Sequence, residues 1–396
     1  MHEHAAFSTR AAYAGRMPVA EPVSRPLLAP IYQSTVYAFD SLEDLEAFHD
    51  GAPGHIYYRN GTLTNTTLEA GIAALESAEA AVTAGSGMAI ITAAILALAG
   101  AGDRVVADRH AYGGTYTLLT KDLPRLGIEV LLIDATNLDD VARALEGQPK
   151  ALLIEALSNP TLRVVDVPAL SALGRSAGVP VIVDATFASP ALLRPVEFGA
   201  SLSWHSVAKY LGGHSAAMGG VAAGDRDLVE LIREKIVHLG ACQGVMDAWL
   251  TLLGLPTLPL RMPVHSQVGM AIARYLETHA AVAKVLYPGL SSHPHYALAQ
   301  TLYPTGCGGM MSFELRGGTA AARHFLKALK LIAFAPSLAD VTTTVSYPYA
   351  TSHYRLPEDA LAALGVTQGL IRLSAGIEAE ADVLADLEQA LEGCPR

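Results

Sequence analysis

The stretch Val179–Gly220, VPVIVDATFASPALLRPVEFGASLSWHSVAKYLGGHSAAMGG, decides the fold. Its first part, VPVIVDA, is a short β-branched apolar run ending at Asp184, the pattern of a strand buried on both faces with its carboxylate emerging at the end. SLSWHS, from Ser201 to Ser206, reads as a second strand, and Lys209 follows in a loop of small residues. Ligands of open α/β sheets gather in the crevice beyond the strand ends, so this acid and this amine can face one bound molecule. Taken singly, a strand-end Asp is more often a cap and a Lys more often a surface charge. The pair in one continuous segment carries more weight.

Outward from that stretch, strands and helices alternate. IEVLLID (Ile128–Asp134) and ALLIEALSNP (Ala151–Pro160) read as strands, with helices near 137–146 and 167–177 between them and Val179. This rhythm implies right-handed crossovers and a mainly parallel sheet covered on both faces. AAVTAGSGMAIITAAILALAG (Ala80–Gly100) reads as strand, small-residue turn and helix. Ser86, Gly87 and Met88 stand where helix N–H groups are unpaired and the helix dipole favours an anion, and Gly87 lets the backbone come close. LEAGIAALES, with Thr64 or Asn65 as N-cap, is a further helix. After a long helix from about Arg261 to His279, the chain mixes strands and helices in an α+β pattern.

At 396 residues the chain exceeds the roughly 250–300 at which one core stops growing, so two lobes are expected. We read residues 1–61 as an extended N-terminal arm, 62–260 as a large α/β domain and 261–396 as a smaller C-terminal domain. Hydrophobic residues make up 51% and charged ones 16%, with a mean hydropathy of +0.31, a load that points to burial between subunits. MAIITAAILALAGAG, the most apolar run, is shorter than the ~18 residues a spanning helix needs. The net charge of −11 argues against nucleic acid and anionic membrane as partners. Three widely spaced cysteines, Cys242, Cys307 and Cys394, show neither CxxC nor metal-ligand spacing, so no metal and a reducing cytoplasm are expected. MHEHAAFSTRAAYAG lacks signal-peptide and transit character.

A carboxylate for a pyridinium nitrogen and a lysine for a Schiff base are what pyridoxal phosphate (PLP) asks of a protein. VDATFASPALLRPVEFGA with HSVAKYLGGHS, preceded by IEALSNPTLRVVDVPAL and YGGTY, resembles the Cys/Met-metabolism (trans-sulfuration) family of PLP-dependent enzymes, in the family's order from about Pro30 to the end of the chain. The resemblance implies the aspartate aminotransferase-like, fold type I architecture and PLP attached covalently at Lys209. It implies Asp184 at the ring nitrogen, Tyr112 stacked on the ring and serving as an acid, and Asn159 at the phenolic oxygen. Ser86, Gly87, Met88 and Ser206 are expected at the phosphate, joined by Tyr57 and Arg59 reaching in from a neighbouring subunit. Arg372, in LIRLSAGIE, is expected to clamp the substrate carboxylate, with Ser337 in the loop closing over the substrate. Glu155, able to satisfy nearby backbone instead, stays outside the catalytic set.

The chain departs from the family pattern at Ala208, which replaces a phosphate-binding Thr, at Ala216 in place of the acid of GHSD, and at Thr342 in place of an acid that biases substrate choice. Leu253 and Pro256 replace Arg and Lys, and Gly114 stands where methionine γ-lyases carry Cys. The implied reaction is carbon–sulfur lysis by elimination on methionine, cystathionine or a related amino acid, in a homo-oligomer at least dimeric and a dimer of dimers by family habit. The alternatives are γ-replacement, as in cystathionine γ-synthase or O-acyl-homoserine sulfhydrylase, and a weakly active PLP-binding protein. YGGTY and Arg59 disfavour an aminotransferase.

Overall fold

The structure is a computed structural model that describes residues 5–15, 26–352, 354 and 358–395. Positions 1–4 and 16–25 of the expected arm lie outside these. The rest of the arm is less extended than its composition suggests: it contains helices α1 (Phe7–Tyr13) and α2 (Leu42–His49). Ser41 caps α2 by accepting the Asp44 N–H at 3.1 Å, and Glu43 and Asp44 sit in its first turn, where the dipole favours acids. That Ser-x-x-Asp start was the signal available in the sequence. Helix α3 (Leu63–Glu76) begins two residues earlier than the expected caps allow, because Thr62 caps it and the Asn65 side chain reaches back to the Thr62 N–H, a reciprocal capping box.

Seven strands form the large sheet: β1 (Ala80–Ala84), β2 (Arg104–Asp108), β3 (Glu129–Ile133), β4 (Leu152–Glu155), β5 (Val181–Asp184), β6 (Leu202–Ser206) and β7 (Gly220–Gly224). They lie in the order β1-β7-β6-β5-β4-β2-β3, with β7 antiparallel to both neighbours and the rest parallel. Along β5 the side chains alternate: Val181 and Val183 enter one buried cluster, with Leu68 and Ile72 of α3. Ile182 enters a second, with Ile90 and Ile95 of α4 (Gly87–Leu98). Burial on both faces explains why VIVD shows no polar alternation.

β7 is GVAAG, nearly without side chains. A Cβ on Gly220 would lie 2.3 Å from the Ser86 carbonyl oxygen, so only glycine lets the start of α4 settle against the sheet at this spacing.

A second sheet joins β8 (Val282–Leu286), β9 (Met310–Leu315), β10 (Ala333–Phe334), β11 (Thr344–Ser346) and β12 (Leu370–Ser374) in the order β10-β11-β12-β9-β8. It is antiparallel except for β10 and β11, and helix Gly318–Ala328 packs Phe325 edge-on against Phe313 at 5.6 Å. The two sheets, with their helices, form the α/β and α+β layers expected. Helix Leu258–Thr278 runs continuously from one region into the other, across the position where a domain boundary is read in the sequence. Among the described residues no helix is long and apolar enough to cross a membrane.

Candidate active site

The C-terminal ends of β4, β5 and β6 open into a cavity of about 670 Å³. Glu155, Asp184 and Trp204 are register partners on these adjacent strands. Register partners share a face, so two carboxyls and an indole stand in a row at the cavity floor. Ser86, Gly87, Met88, Tyr112, Asn159, Asp184, Ser206, Lys209 and Arg372, all expected in the site, line this one cavity.

Lys209 follows β6 in a turn closed by the Gly213 N–H donating to the Lys209 carbonyl at 2.8 Å. Tyr210, fully buried, anchors that turn: its hydroxyl accepts the Gly309 N–H at 3.0 Å, and its carbonyl accepts Arg261 Nη1 at 2.8 Å. Burial, and then the Arg372 charge, lower the Lys209 ammonium pKa from its ordinary value, against a smaller opposing pull from Asp184. A lysine less protonated than in water is a better nucleophile and base.

Asp184 accepts the Thr186 N–H at 2.9 Å. Burial raises it to about 6, against the stabilising effect of Thr186, His205 and Lys209. Among the described residues no Lys, Arg or His lies within ion-pair distance of Asp184 or Glu155, and no carboxylate lies that close to Arg372. Arg372, buried on β12, donates to Asn159 Oδ1 at 3.1 Å and to the Ser337 carbonyl at 3.2 Å. Burial lowers its pKa to about 10. A buried guanidinium with only neutral acceptors is a ready partner for a ligand carboxylate.

At the other end of the cavity, Ser86 caps α4 and accepts the Ala89 N–H at 3.1 Å. A Cβ on Gly87 would lie 3.1 Å from the Ser206 Cβ and 3.2 Å from the Trp204 ring. This cradle, at the N-terminus of a twelve-residue helix, has the free N–H groups a phosphate needs. Ala208 lines the cavity and adds no hydroxyl. A buried amine, an unpaired carboxylate and an anion cradle in one cavity fit an aromatic aldehyde phosphate.

A family model described as Cys/Met metabolism PLP-dependent enzyme matches residues 9–392. The chain belongs to that family. It is 39% identical over 372 residues to an L-methionine gamma-lyase of Fusobacterium nucleatum subsp. polymorphum, covering 92% of this chain and 93% of that one. To a cystathionine gamma-lyase of Bacillus subtilis it is 40% identical over 364 residues, with 92% and 93% covered. A solved cystathionine gamma synthase from Xanthomonas oryzae pv. oryzae, in complex with aminoacrylate and cysteine, superposes with a TM-score of 0.92 at 36% identity, covering 98% of each chain. The protein is thus a PLP-dependent enzyme of the Cys/Met-metabolism family, with the fold type I architecture of its relatives.

Within that family frame, three expected residues, Tyr57, Arg59 and Ser337, are not among those lining the cavity in this subunit. Tyr57 and Arg59 do not line the cavity; both are exposed, with the Arg59 guanidinium 4.8 Å above the Tyr57 ring. Ser337 contributes its carbonyl to Arg372, while its neighbours Pro336 and Leu338 form the wall. Thr342 donates its hydroxyl to Asp340 at 2.7 Å. Trp204, Thr186, Phe187, Met218, Ser352 and Tyr354 line the cavity without having been singled out. Trp204 is two residues before Ser206 and Thr186 two after Asp184, so the two-residue strand period could have found the first and chain proximity the second.

Proposed function

We propose that the enzyme is a carbon–sulfur lyase acting by elimination on a sulfur amino acid, with PLP held covalently at Lys209. The observation that carries this reading is that Lys209, Asp184 and Arg372 face one cavity, with neither the carboxylate nor the guanidinium paired to an opposite charge among the described residues. PLP supplies an aldehyde for covalent linkage and a ring that accepts electrons released at the α-carbon of an amino acid. Asp184 would hold the ring nitrogen, Asn159 the phenolic oxygen, and Ser86, Gly87, Met88 and Ser206 the phosphate. Tyr112 would lie on the ring face.

Arg372 would fix the substrate carboxylate by two parallel hydrogen bonds. The Lys209 amine, with its pKa lowered by burial, would take the α-proton, hand it to the electron-accepting cofactor and so be free to act as a base again. It would then take a β-proton, and the electron pair left at the β-carbon would expel the γ-thiolate, which would leave as the thiol with a proton from the Tyr112 hydroxyl. Leu157, Phe187, Met218, Pro336 and Leu338 give the cavity apolar walls suited to a thioether. γ-Replacement is the second reading, favoured by the likeness to the Xanthomonas synthase.

The exposed placement of Tyr57 and Arg59 supports a homo-oligomer in which they complete a neighbour's site, and three free thiols support a reducing, cytoplasmic setting. Borohydride reduction followed by peptide mapping tests the attachment: the adduct is expected on Lys209, and an adduct elsewhere or none rejects the proposal. Product analysis with methionine, cystathionine, cysteine and O-acetylhomoserine, the last with and without thiol, separates elimination from replacement.

A further inference from the structure

Glu155 occupies the cavity floor beside Asp184 yet has no part in the chemistry above. Its carboxyl accepts the main-chain N–H of Tyr112, from a segment forty-three residues earlier in the chain. That segment is tightly packed. A Cβ on Gly114 would lie 2.6 Å from the Tyr112 ring, and one on Gly113 would lie 2.8 Å from the Ser352 carbonyl oxygen. Where the Tyr112 ring lies is therefore set by where its main chain is held. Glu155 holds the Tyr112 N–H, and the Tyr116 N–H donates to the Tyr112 carbonyl at 2.8 Å.

Charge decides how Glu155 works. It and Asp184 are in register on neighbouring strands and line one cavity, Glu155 buried and Asp184 half-buried, and no described Lys, Arg or His lies within ion-pair distance of either. Two adjacent carboxylates in such a place cannot both ionise without a counter-charge. Burial, then the Asp184 charge, raises Glu155 well above the ordinary carboxyl range, outweighing the N–H groups of Tyr112 and Asn159, with Asp108 adding to the rise. A neutral carboxyl still accepts a hydrogen bond.

We infer that Glu155 is a positioning residue, an uncharged acceptor that holds the Tyr112 main-chain N–H and so sets the tyrosine ring against the cofactor face, and not a second anion serving the cofactor alongside Asp184. The inference rests on the reading of Tyr112 as the stacking residue. Leaving the part-buried Tyr112 N–H without its partner weakens an interaction by up to about 1–3 kcal/mol, roughly fivefold to a hundredfold.

The test uses the PLP-loaded enzyme and three variants. Glu155→Gln keeps a neutral acceptor at the same reach; Glu155→Asp keeps the carboxyl but withdraws it by one methylene; Glu155→Ala removes it. Glu155→Gln is expected to keep kcat, the PLP dissociation constant and the visible circular dichroism of the bound cofactor within about threefold of wild type. Glu155→Asp and Glu155→Ala are expected to weaken the dichroic band and lower kcat by about fivefold to a hundredfold, with KM little changed. A Gln variant as impaired as Ala, or an Asp variant that works while Gln fails, overturns the inference, and if the Ala variant does not fold the Gln and Asp pair decides alone. Tyr112→Ala is the control: an unchanged dichroic band there rejects the stacking assignment itself, independently of Glu155.

Discussion

The Asp340 carboxylate accepts the Ser215 hydroxyl at 2.6 Å, joining the loop after Lys209 to the loop that carries Ser337. The same loop donates the Val341 N–H to the Gly213 carbonyl at 3.0 Å and the Ala339 N–H to Ser374 Oγ at 2.7 Å. One loop thus spans the lysine turn and the strand bearing Arg372. Ala216, where the family has an acid, needs no replacement at that spot for the two loops to be fastened.

Asp340→Ala removes acceptors for the Ser215 hydroxyl and for both the N–H and hydroxyl of Thr342. Hydrogen bonds to a charged group contribute about 1.5–3 kcal/mol each. The Ser337 carbonyl then loses its fixed place beside Arg372, so KM for the amino acid is expected to rise about tenfold while PLP affinity stays near wild type. Steady-state kinetics with a cofactor titration checks both, and an unchanged KM refutes the loop's role.

Ala208→Thr places a hydroxyl in the wall next to Ser206, at the anion end of the cavity. One added bond to a doubly charged phosphate is expected to tighten PLP binding about tenfold. Equilibrium titration of the apoprotein measures it. Equal affinities would mean that the helix cradle already saturates the phosphate.

Asp184→Asn isolates the cost of a carboxylate desolvated at the cavity floor. The native group, raised to about 6, keeps its proton at pH values where the unfolded chain, near pH 4, has begun to release it. Native protons therefore exceed unfolded protons across that window, and Asp184 lowers apoprotein stability progressively as pH rises through it. Asp184→Asn is expected to raise the apoprotein Tm at about pH 8, to lose that gain at about pH 4, and to abolish turnover. Thermal melts at the two pH values decide the sign.

Arg372→Met removes a buried guanidinium that has no described carboxylate partner. Apoprotein stability is expected to hold or rise, because an uncompensated buried charge is removed. KM is expected to rise by at least about thirtyfold, the cost of leaving a bound carboxylate without its partner. A Tm loss with unchanged KM would assign Arg372 a purely structural role.

Asp184 and Lys209 were legible in the sequence because strand, acid, loop and amine follow one another within a single segment. The Ser86–Met88 turn was legible for the same reason, since strand, turn and helix are contiguous. Glu155 was ambiguous because its partner, the Tyr112 N–H, comes from a different crossover and is fixed only by tertiary packing. Pro336, Ser352 and Tyr354 arrive from the second sheet's loops, whose approach depends on how Tyr210 and helix Leu258–Thr278 seat one region on the other. Thr342 illustrates the limit in another way: its residue type was informative, but the direction of its hydroxyl, toward Asp340, was not.

Gly220 has no functional group, and a methyl there would collide with the Ser86 carbonyl. Saturation mutagenesis should therefore show it among the least replaceable positions, beside residues that do chemistry. Intolerance at that position would outline the recess at the start of α4 as a mould outlines a casting, by the atoms that must be missing.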